Sequence, residues 1–371
     1  MKYDYLIVGS GLFGATFADL ATKAGKSCLV VEKRNHIGGN IYTEDIDNIN
    51  IHKYGAHIFH TSNKSIWNYI KSFSDFNNFI NSPLAIYNDE IYNLPFNMNT
   101  FSKLWNIKTP EEAMQIIFGQ VKQANITHPK NLREQAISLV GIDIFSKLID
   151  GYTRKQWNTP CEELSPDIIK RIPVRFTYNN NYFDDIYQGI PVNGYTPIIE
   201  KMLSGSKVIL NEDYLAKKTY YNSLARRIIY TGTIDSYFNY CYGKLKYRSL
   251  EFKTDRLDIS DFQGNAVINY TSFDIPYTRI IEHKHFQTNI DINSLPHTII
   301  TREYPKDWTD SAEPYYPVVD KQSIETYEKY VKLASELDNI YFGGRLGQYK
   351  YFDMDDTILS AFELYNKIKG E

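Results

Sequence analysis

The sequence predicts a mixed α/β protein: a parallel, helix-flanked sheet interrupted by a helical insertion and by an antiparallel sheet. Three observations predict it. The first forty residues read strand, glycine loop, helix, strand and acid in order. Residues 96–165 carry repeated helix-start signals, and residues 246–303 alternate apolar and polar side chains.

Asp4 to Val8 is a short, apolar, β-branched run of the kind buried on both faces of a sheet. Gly9-Ser10-Gly11-Leu12-Phe13-Gly14 follows at once, and helical spacing then runs through Phe17, Leu20 and Ala21 to Gly25. Cys28 to Val31 is a second apolar run, closed by Glu32. Gly9 permits the tight turn, Gly11 lets the backbone approach a pyrophosphate, and Gly14 allows close helix–strand packing. Glu32 lies about twenty residues beyond the glycines, where a carboxylate accepts hydrogen bonds from an adenosine ribose. This is a Rossmann-like dinucleotide unit. Paired glycines after the acid, Gly38-Gly39, point to a flavin enzyme rather than a nicotinamide one, because a second loop must also pass close to the pyrophosphate.

Lys53 to His60 is a glycine-containing loop with two histidines. Thr109 before Pro110-Glu111-Glu112 and Asn131 before Leu132 mark helix starts. Leu164 to Tyr187 is polar and reads as a mobile loop leading into a strand. Gly194 opens a helix through Ile198, Ile199 and Met202, followed by strands at Val208–Leu210 and Arg227–Tyr230. Ala266–Tyr270 and Thr298–Thr301 alternate as antiparallel strands do. Ile340-Tyr341-Phe342 leads into Gly343-Gly344-Arg345, and a last helix begins near Asp353. A helix N-terminus supplies the positive end that a reduced, anionic flavin needs near N1 and O2. Asp353 is expected on the ribityl chain, with the Met354 N–H facing the ring. The expected boundaries are 1–80, 190–245 and 312–371 for a discontinuous FAD-binding domain and 96–165 for the helical domain. An antiparallel sheet domain for the substrate takes 81–95, 166–189 and 246–311.

A chain of 371 residues exceeds one simple core. A net charge of −3 offers no electrostatic reason for a nucleic-acid partner. No run reaches membrane-spanning length without a charge or a glycine break. Lys2 before an apolar segment imitates a signal peptide, but Asp4 inside that segment argues against cleavage. Cys28, Cys161 and Cys241 lie far apart and form no CxxC, a cytoplasmic pattern without a disulfide frame or a zinc site. His57 and His60 with His283-Lys284-His285 suggest no metal, since Lys284 adds unfavourable charge and no acid or cysteine completes a shell. Tyrosine is abundant, and only tyrosines inside motifs are given a role.

Gly9 to Gly14, Glu32 to Asn40, His52 to His60, Asn81-Ser82-Pro83-Leu84, Gly151 to Trp157, Lys170 to Phe176, Asn180 to Phe183 and Gly343 to Leu346 together resemble the bacterial UDP-galactopyranose mutases. The similarity runs from Tyr3 to the last helix. It implies a cytoplasmic flavoenzyme, a homodimer without integral membrane association, that interconverts UDP-galactopyranose and UDP-galactofuranose with no net redox change. In that family FAD must be reduced, N5 is the covalent nucleophile at the anomeric carbon, and UDP leaves. The product supplies cell-surface polysaccharide. Acceptance of UDP-N-acetylgalactosamine depends on room near His60.

Carried over residue by residue, Arg171 resembles the closing-loop arginine on the diphosphate and Arg279 its fixed partner, with Arg248 a weaker candidate. Guanidinium forks bind such oxygens bidentately and bring charge to where it develops. Tyr152, Thr153 and Trp157 resemble uridine-side contacts. Leu148 stands at the uracil edge, where some members carry phenylalanine, and Tyr182 resembles a ring at the base. Asn81 and Asn269 match channel positions, and Tyr316 and Tyr351 the tyrosines on the pyrophosphate. His57 and Ile58 fit the loop beside the isoalloxazine, with His60 nearer the sugar. Phe13, Lys33, Gly39, Asn40, Arg345 and Phe352 fit FAD contacts. By residue type alone, Arg171 also reads as a surface cation, Arg279 as a structural pair with Glu282, and Trp157 as core. Flavin amine and porphyrinogen-type oxidases share the Rossmann start and the C-terminal motif, but have no use for a closing arginine. A non-catalytic FAD- or UDP-binding scaffold shares the same motifs. No nicotinamide fingerprint occurs elsewhere, so an external reductant is expected.

Overall fold

The computed structural model describes residues 2–169, 172–310 and 312–370. The chain forms two compact units, Met1–Asn78 with Asp185–Tyr247 and Pro314–Glu371, and Phe79–Asp184 with Arg248–Glu313.

In the first unit five strands make a parallel sheet in the order Ile340–Phe342, Ala225–Tyr230, Tyr3–Val8, Cys28–Val31, Lys207–Ile209. Leu6, Ile7 and Val30 are wholly buried, as an apolar run covered on both faces requires. The helix Leu12–Lys23 packs against Thr196–Leu203 and the terminal helix Met354–Ile368. Phe17, Ala18 and Ala21 share one core with Ile199, Ile358 and Ala361. Small residues at 18, 21 and 361 let these helices approach closely. Phe17 fills the gap, its ring edge-on to Tyr5 at 5.2 Å and to Tyr365 at 5.6 Å. The strand Phe59–Thr61 pairs with Tyr187–Gly189 beside this core.

The second unit holds a mixed sheet whose strands run Tyr247–Leu257, Thr298–Asp307, Arg279–Glu282, Val267–Tyr270, Leu84–Tyr87, Glu90–Asn93. One neighbouring pair is parallel, Val267–Tyr270 with Leu84–Tyr87, so the sheet is not purely antiparallel as expected. The helices Met98–Trp105, Pro110–Ala124, Leu132–Ile144 and Asp150–Trp157 belong to the same unit. They were expected to form a separate domain, but their apolar faces close over the sheet. Phe101, Leu132, Val140 and Phe145 share a core with Ala85 and Tyr92 of two strands. Thr109 and Glu112 form the capping box that their spacing predicts. Leu132–Ile144 is broken at Gly141, whose φ of +80° a side chain would resist, and a π turn follows at Phe145–Ile149.

Candidate active site

In the first unit two glycine loops run side by side. Gly9 has φ +102°, and a Cβ there would lie 2.1 Å from Thr231 Oγ1. A Cβ on Gly14 would lie 2.1 Å from the Gly9 carbonyl oxygen, and one on Gly39 2.9 Å from Gly11 Cα. Gly38 N–H donates to the Ser10 carbonyl at 3.0 Å, which bridges the loops. The first helix is capped by Gly11, which has no side chain, and its first turn carries no acid. Its leading amides and positive end are therefore left for an anion. Side chains at Gly9, Gly14 and Gly39 would collide with neighbouring protein atoms, so the glycines keep the two loops and the helix start in close backbone approach, a cradle that fits a dinucleotide pyrophosphate.

Glu32 is buried and does more than the spacing suggests. One carboxylate oxygen accepts from Ser10 N–H and Oγ–H, both at 2.8 Å, and the other from Arg34 N–H at 2.9 Å. The acid thus clamps the glycine turn and keeps acceptor capacity for a ribose, since a carboxylate offers about four lone-pair sites. Sequence reasoning missed Ser10. Lys33 is exposed, and Asn40 accepts from Arg34 Nη2 at 3.0 Å.

At the C-terminal motif, a Cβ on Gly343 would meet the Phe13 ring at 2.2 Å, and Gly344 has φ +74°. Phe13 and Phe352 are buried. Arg345 Nε donates to the Phe352 carbonyl at 2.9 Å and its guanidinium lies 4.7 Å from the Tyr351 ring centre. Tyr351 stacks on Tyr316 at 6.2 Å and donates to Asp353 at 3.1 Å. Asp353 is the N-cap of the terminal helix, yet its carboxylate caps none of that helix's amides. In the histidine loop, His57 Nδ1 lies 2.8 Å from the Gly55 carbonyl and Ile58 is buried. Tyr195 Oη donates to the His57 carbonyl at 3.0 Å. His60 Nδ1 lies 2.7 Å from Asp185 Oδ2.

The second unit builds its polar face from a docked helix and three strands. Gly151 comes so close to the strand end that a Cβ would lie 2.2 Å from the Thr271 carbonyl. Lys155, nearly buried, donates to the carbonyls of Tyr270 at 2.7 Å and Tyr277 at 3.0 Å. Burial pushes its ammonium down to about 8. These contacts bring Tyr152 to Arg279, whose Nη2 donates to the tyrosine oxygen at 3.0 Å. Arg279 faces Asn269 on one neighbouring strand and Glu303 on the other. Buried Glu303 holds the guanidinium, with Oε1 3.4 Å from Nε. The acid expected beside Arg279 was Glu282, but strand alternation turns Glu282 to the opposite face. There it accepts from the N–H groups of Phe262 and Gln263 and from Thr298 Oγ.

Arg248 is buried, pairs with Asp307 and donates from Nε to the Gln156 carbonyl at 2.8 Å. Its guanidinium is thus bound within the unit, beside Trp157. Asn269 Nδ2 donates to the Leu84 carbonyl at 3.2 Å, and the Tyr182 N–H donates to the Asn81 carbonyl at 2.8 Å. Asn81, Leu148 and Thr153 are buried, Trp157 is half-buried, and Tyr182 is exposed. Arg171 and its neighbour Lys170 lie outside the described residues. Of the four histidines weighed above as metal ligands, His57 and His60 belong to the first unit and His283 and His285 to the second. His283 Nε2 meets Thr301 Oγ1 at 2.8 Å. His285 Nε2 lies 3.1 Å from Asp261 and 3.4 Å from Glu282, acids its sequence spacing did not reveal. The buried Lys284 ammonium also reaches Asp261, at 3.2 Å.

The parallel sheet and its glycine cradle define a Rossmann-type dinucleotide-binding protein, and residues 7–73 match the NAD(P)-binding Rossmann-like domain family. Residues 147–351 match the UDP-galactopyranose mutase family. A Klebsiella pneumoniae relative named "Probable UDP-galactopyranose mutase" is 36% identical, over 97% of this chain and 93% of its own. An Escherichia coli relative named dTDP-fucopyranose mutase is 35% identical, over 96% of each. A crystal structure of reduced UDP-galactopyranose mutase shares the fold at TM-score 0.77 and 16% identity, over 100% of this chain and 94% of that one. The chain belongs to the UDP-galactopyranose mutase family and is an isomerase. No helix among the described residues is long and apolar enough to cross a membrane.

Proposed function

We propose that this enzyme interconverts UDP-galactopyranose and UDP-galactofuranose, using reduced FAD and no net redox change. The observation that carries the reading is the Arg279–Tyr152–Glu303 arrangement in a chain whose other unit carries the glycine cradle. The cradle fits FAD because two glycine loops, in close approach at Gly11 and Gly39, flank a helix N-terminus that has no side-chain cap. When bound, the reduced flavin supplies a nucleophilic ring nitrogen, N5, for covalent catalysis at the anomeric carbon.

The chain's residues do the rest. Gly9, Gly11, Gly14 and Gly39 admit the cofactor's pyrophosphate, and Glu32 accepts from its ribose. Asp353 takes the ribityl chain and the Met354 N–H the ring, while His57 and Ile58 flank the isoalloxazine. Arg279 receives the sugar nucleotide's diphosphate, aimed by Glu303 and Tyr152. Its fork stabilises the charge that gathers on the leaving UDP. Arg171, Tyr316 and Tyr351 are assigned to the same diphosphate, Asn81 and Asn269 to the channel, and His60 to the sugar. We assign the protein to the cytoplasm as a homodimer supplying galactofuranose for surface polysaccharide.

A second reading, a dTDP-fucopyranose mutase, is favoured by the nearly equal identity to a relative of that name. Both reactions contract a six-membered ring attached to a nucleoside diphosphate, so a diphosphate grip serves either. Anaerobic, dithionite-reduced protein given UDP-galactofuranose and dTDP-fucofuranose in separate reactions distinguishes them. Conversion of the first to its pyranose supports our reading. Conversion of only the second replaces the substrate, and conversion of neither ends both readings.

A further inference from the structure

We propose that Asp185 is a positioning residue for the isomerisation, holding the His60 imidazole with its proton on Nδ1 and its lone pair on Nε2. The proposal rests on the assignment of His60 to the sugar made above.

The geometry comes from the ribbon in which Phe59–Thr61 pairs antiparallel with Tyr187–Gly189, His60 lying opposite Gln188. His60 is the middle residue of its strand, and Ser62 follows the strand's last residue, Thr61. Asp185, just before the partner strand, bridges them. His60 Nδ1 lies 2.7 Å from Oδ2, and Ser62 Oγ donates to Oδ1 at 2.7 Å. An ionised carboxylate only accepts, so Nδ1 carries the hydrogen of the first bond. Two short bonds, one to each oxygen, fix the carboxylate, and the carboxylate fixes the ring's rotation and tautomer. Trp67 stacks on Tyr187 at 5.4 Å and braces the strand that follows Asp185. This differs from a surface ion pair, because the His60 side chain is only 16% exposed.

The tautomer matters because ring contraction moves a proton. The hydroxyl that closes the five-membered ring loses one, and the oxygen released from the six-membered ring gains one. Opening precedes closure, so the released oxygen takes its proton from solvent. With Nδ1–H bound to Asp185, Nε2 is the ring atom able to take the closing hydroxyl's proton and pass it on to solvent, so the ring ends the cycle as it began.

The test combines ring ¹⁵N chemical shifts of the flavin-loaded protein at mildly alkaline pH with steady-state kinetics on UDP-galactofuranose under reduction. Wild type is compared with Asp185→Ala, Asp185→Asn and Ser62→Ala, with His60→Gln assigning the resonances. Wild type should show a protonated-type Nδ1 and a lone-pair-type Nε2 for His60. Asp185→Ala should lose that signature and cut kcat about 10- to 100-fold, within the range that proton transfer contributes, while KM and flavin content hold. Asp185→Asn should keep the fold and still lower kcat, and Ser62→Ala should lower it less. Wild-type kcat in both Asp185 variants overturns the proposal, as does a fall in kcat with His60 shifts unchanged. Should Asp185→Ala not fold, the same two criteria apply to Asp185→Asn and Ser62→Ala. Failure of wild type to convert the sugar nucleotide overturns the underlying reading instead, since the nitrogen shifts need no substrate.

Discussion

Arg279 acquires its chemistry from neighbours that sequence adjacency does not reveal. Its carboxylate partner is Glu303 across the strand register, not Glu282 three positions along. The pair places a planar fork, rather than a flexible charge, at the polar face. Arg279→Lys should therefore lose about 10- to 100-fold in kcat/KM for UDP-galactofuranose while the flavin spectrum stays intact, a loss of one charge-matched contact in the transition state. Retention of activity in steady-state assays would show that charge alone suffices. Glu32 was singled out for a ribose by its distance to the glycines, whereas its observed hold on Ser10 carried no sequence signal. Asp185 and Glu303 escaped for the same reason: each acts through a contact between residues distant in sequence, and only the folded register brings them together.

At the scale of elements, local signals were read well and long-range ones poorly. The run Cys28–Val31 and the helix start at Pro110 coincide with the observed elements, because β-branched runs and capping boxes act within a few residues. The break at Gly141 and the π turn after it carry no such local signature. The glycine cradle depends on close backbone approach. Gly14→Ala would drive a Cβ into the Gly9 carbonyl, so we expect about 1–3 kcal/mol of destabilisation in denaturant titration and weaker flavin retention. The docked helix Asp150–Trp157 offers a pH test. Lys155 has its folded pKa lowered to about 8 from an ordinary 10.5. Between these values the unfolded chain binds more protons than the folded one, so unfolding free energy rises with pH. Below about pH 8 the burial penalty is fully present, and above about 10.5 it is gone. Lys155→Met lacks this contribution. Wild type should therefore gain thermal stability relative to Lys155→Met as pH rises through that window, and a pH-independent difference would contradict the lowered value.

Across the whole molecule, the order of segments was largely legible because the Rossmann start and its returning strands each bear their own pattern. Residues 1–78, 185–247 and 314–371 form one unit, close to the expected 1–80, 190–245 and 312–371. The helical insertion was harder to place, since its own sequence does not say which surface completes its core. Ala85 and Tyr92 of the sheet supply that surface. Segment 185–189 was assigned to the sheet domain but joins the first unit, where Tyr187–Gly189 finds its partner in Phe59–Thr61.

The decisive measurement is product analysis alongside the flavin spectrum when anaerobically reduced protein meets UDP-galactofuranose. UDP-galactopyranose should accumulate to equilibrium while the flavin absorbance stays that of the reduced state from first turnover to last. An unchanged sugar nucleotide, or flavin that becomes oxidised in proportion to substrate consumed, would contradict a non-redox isomerase.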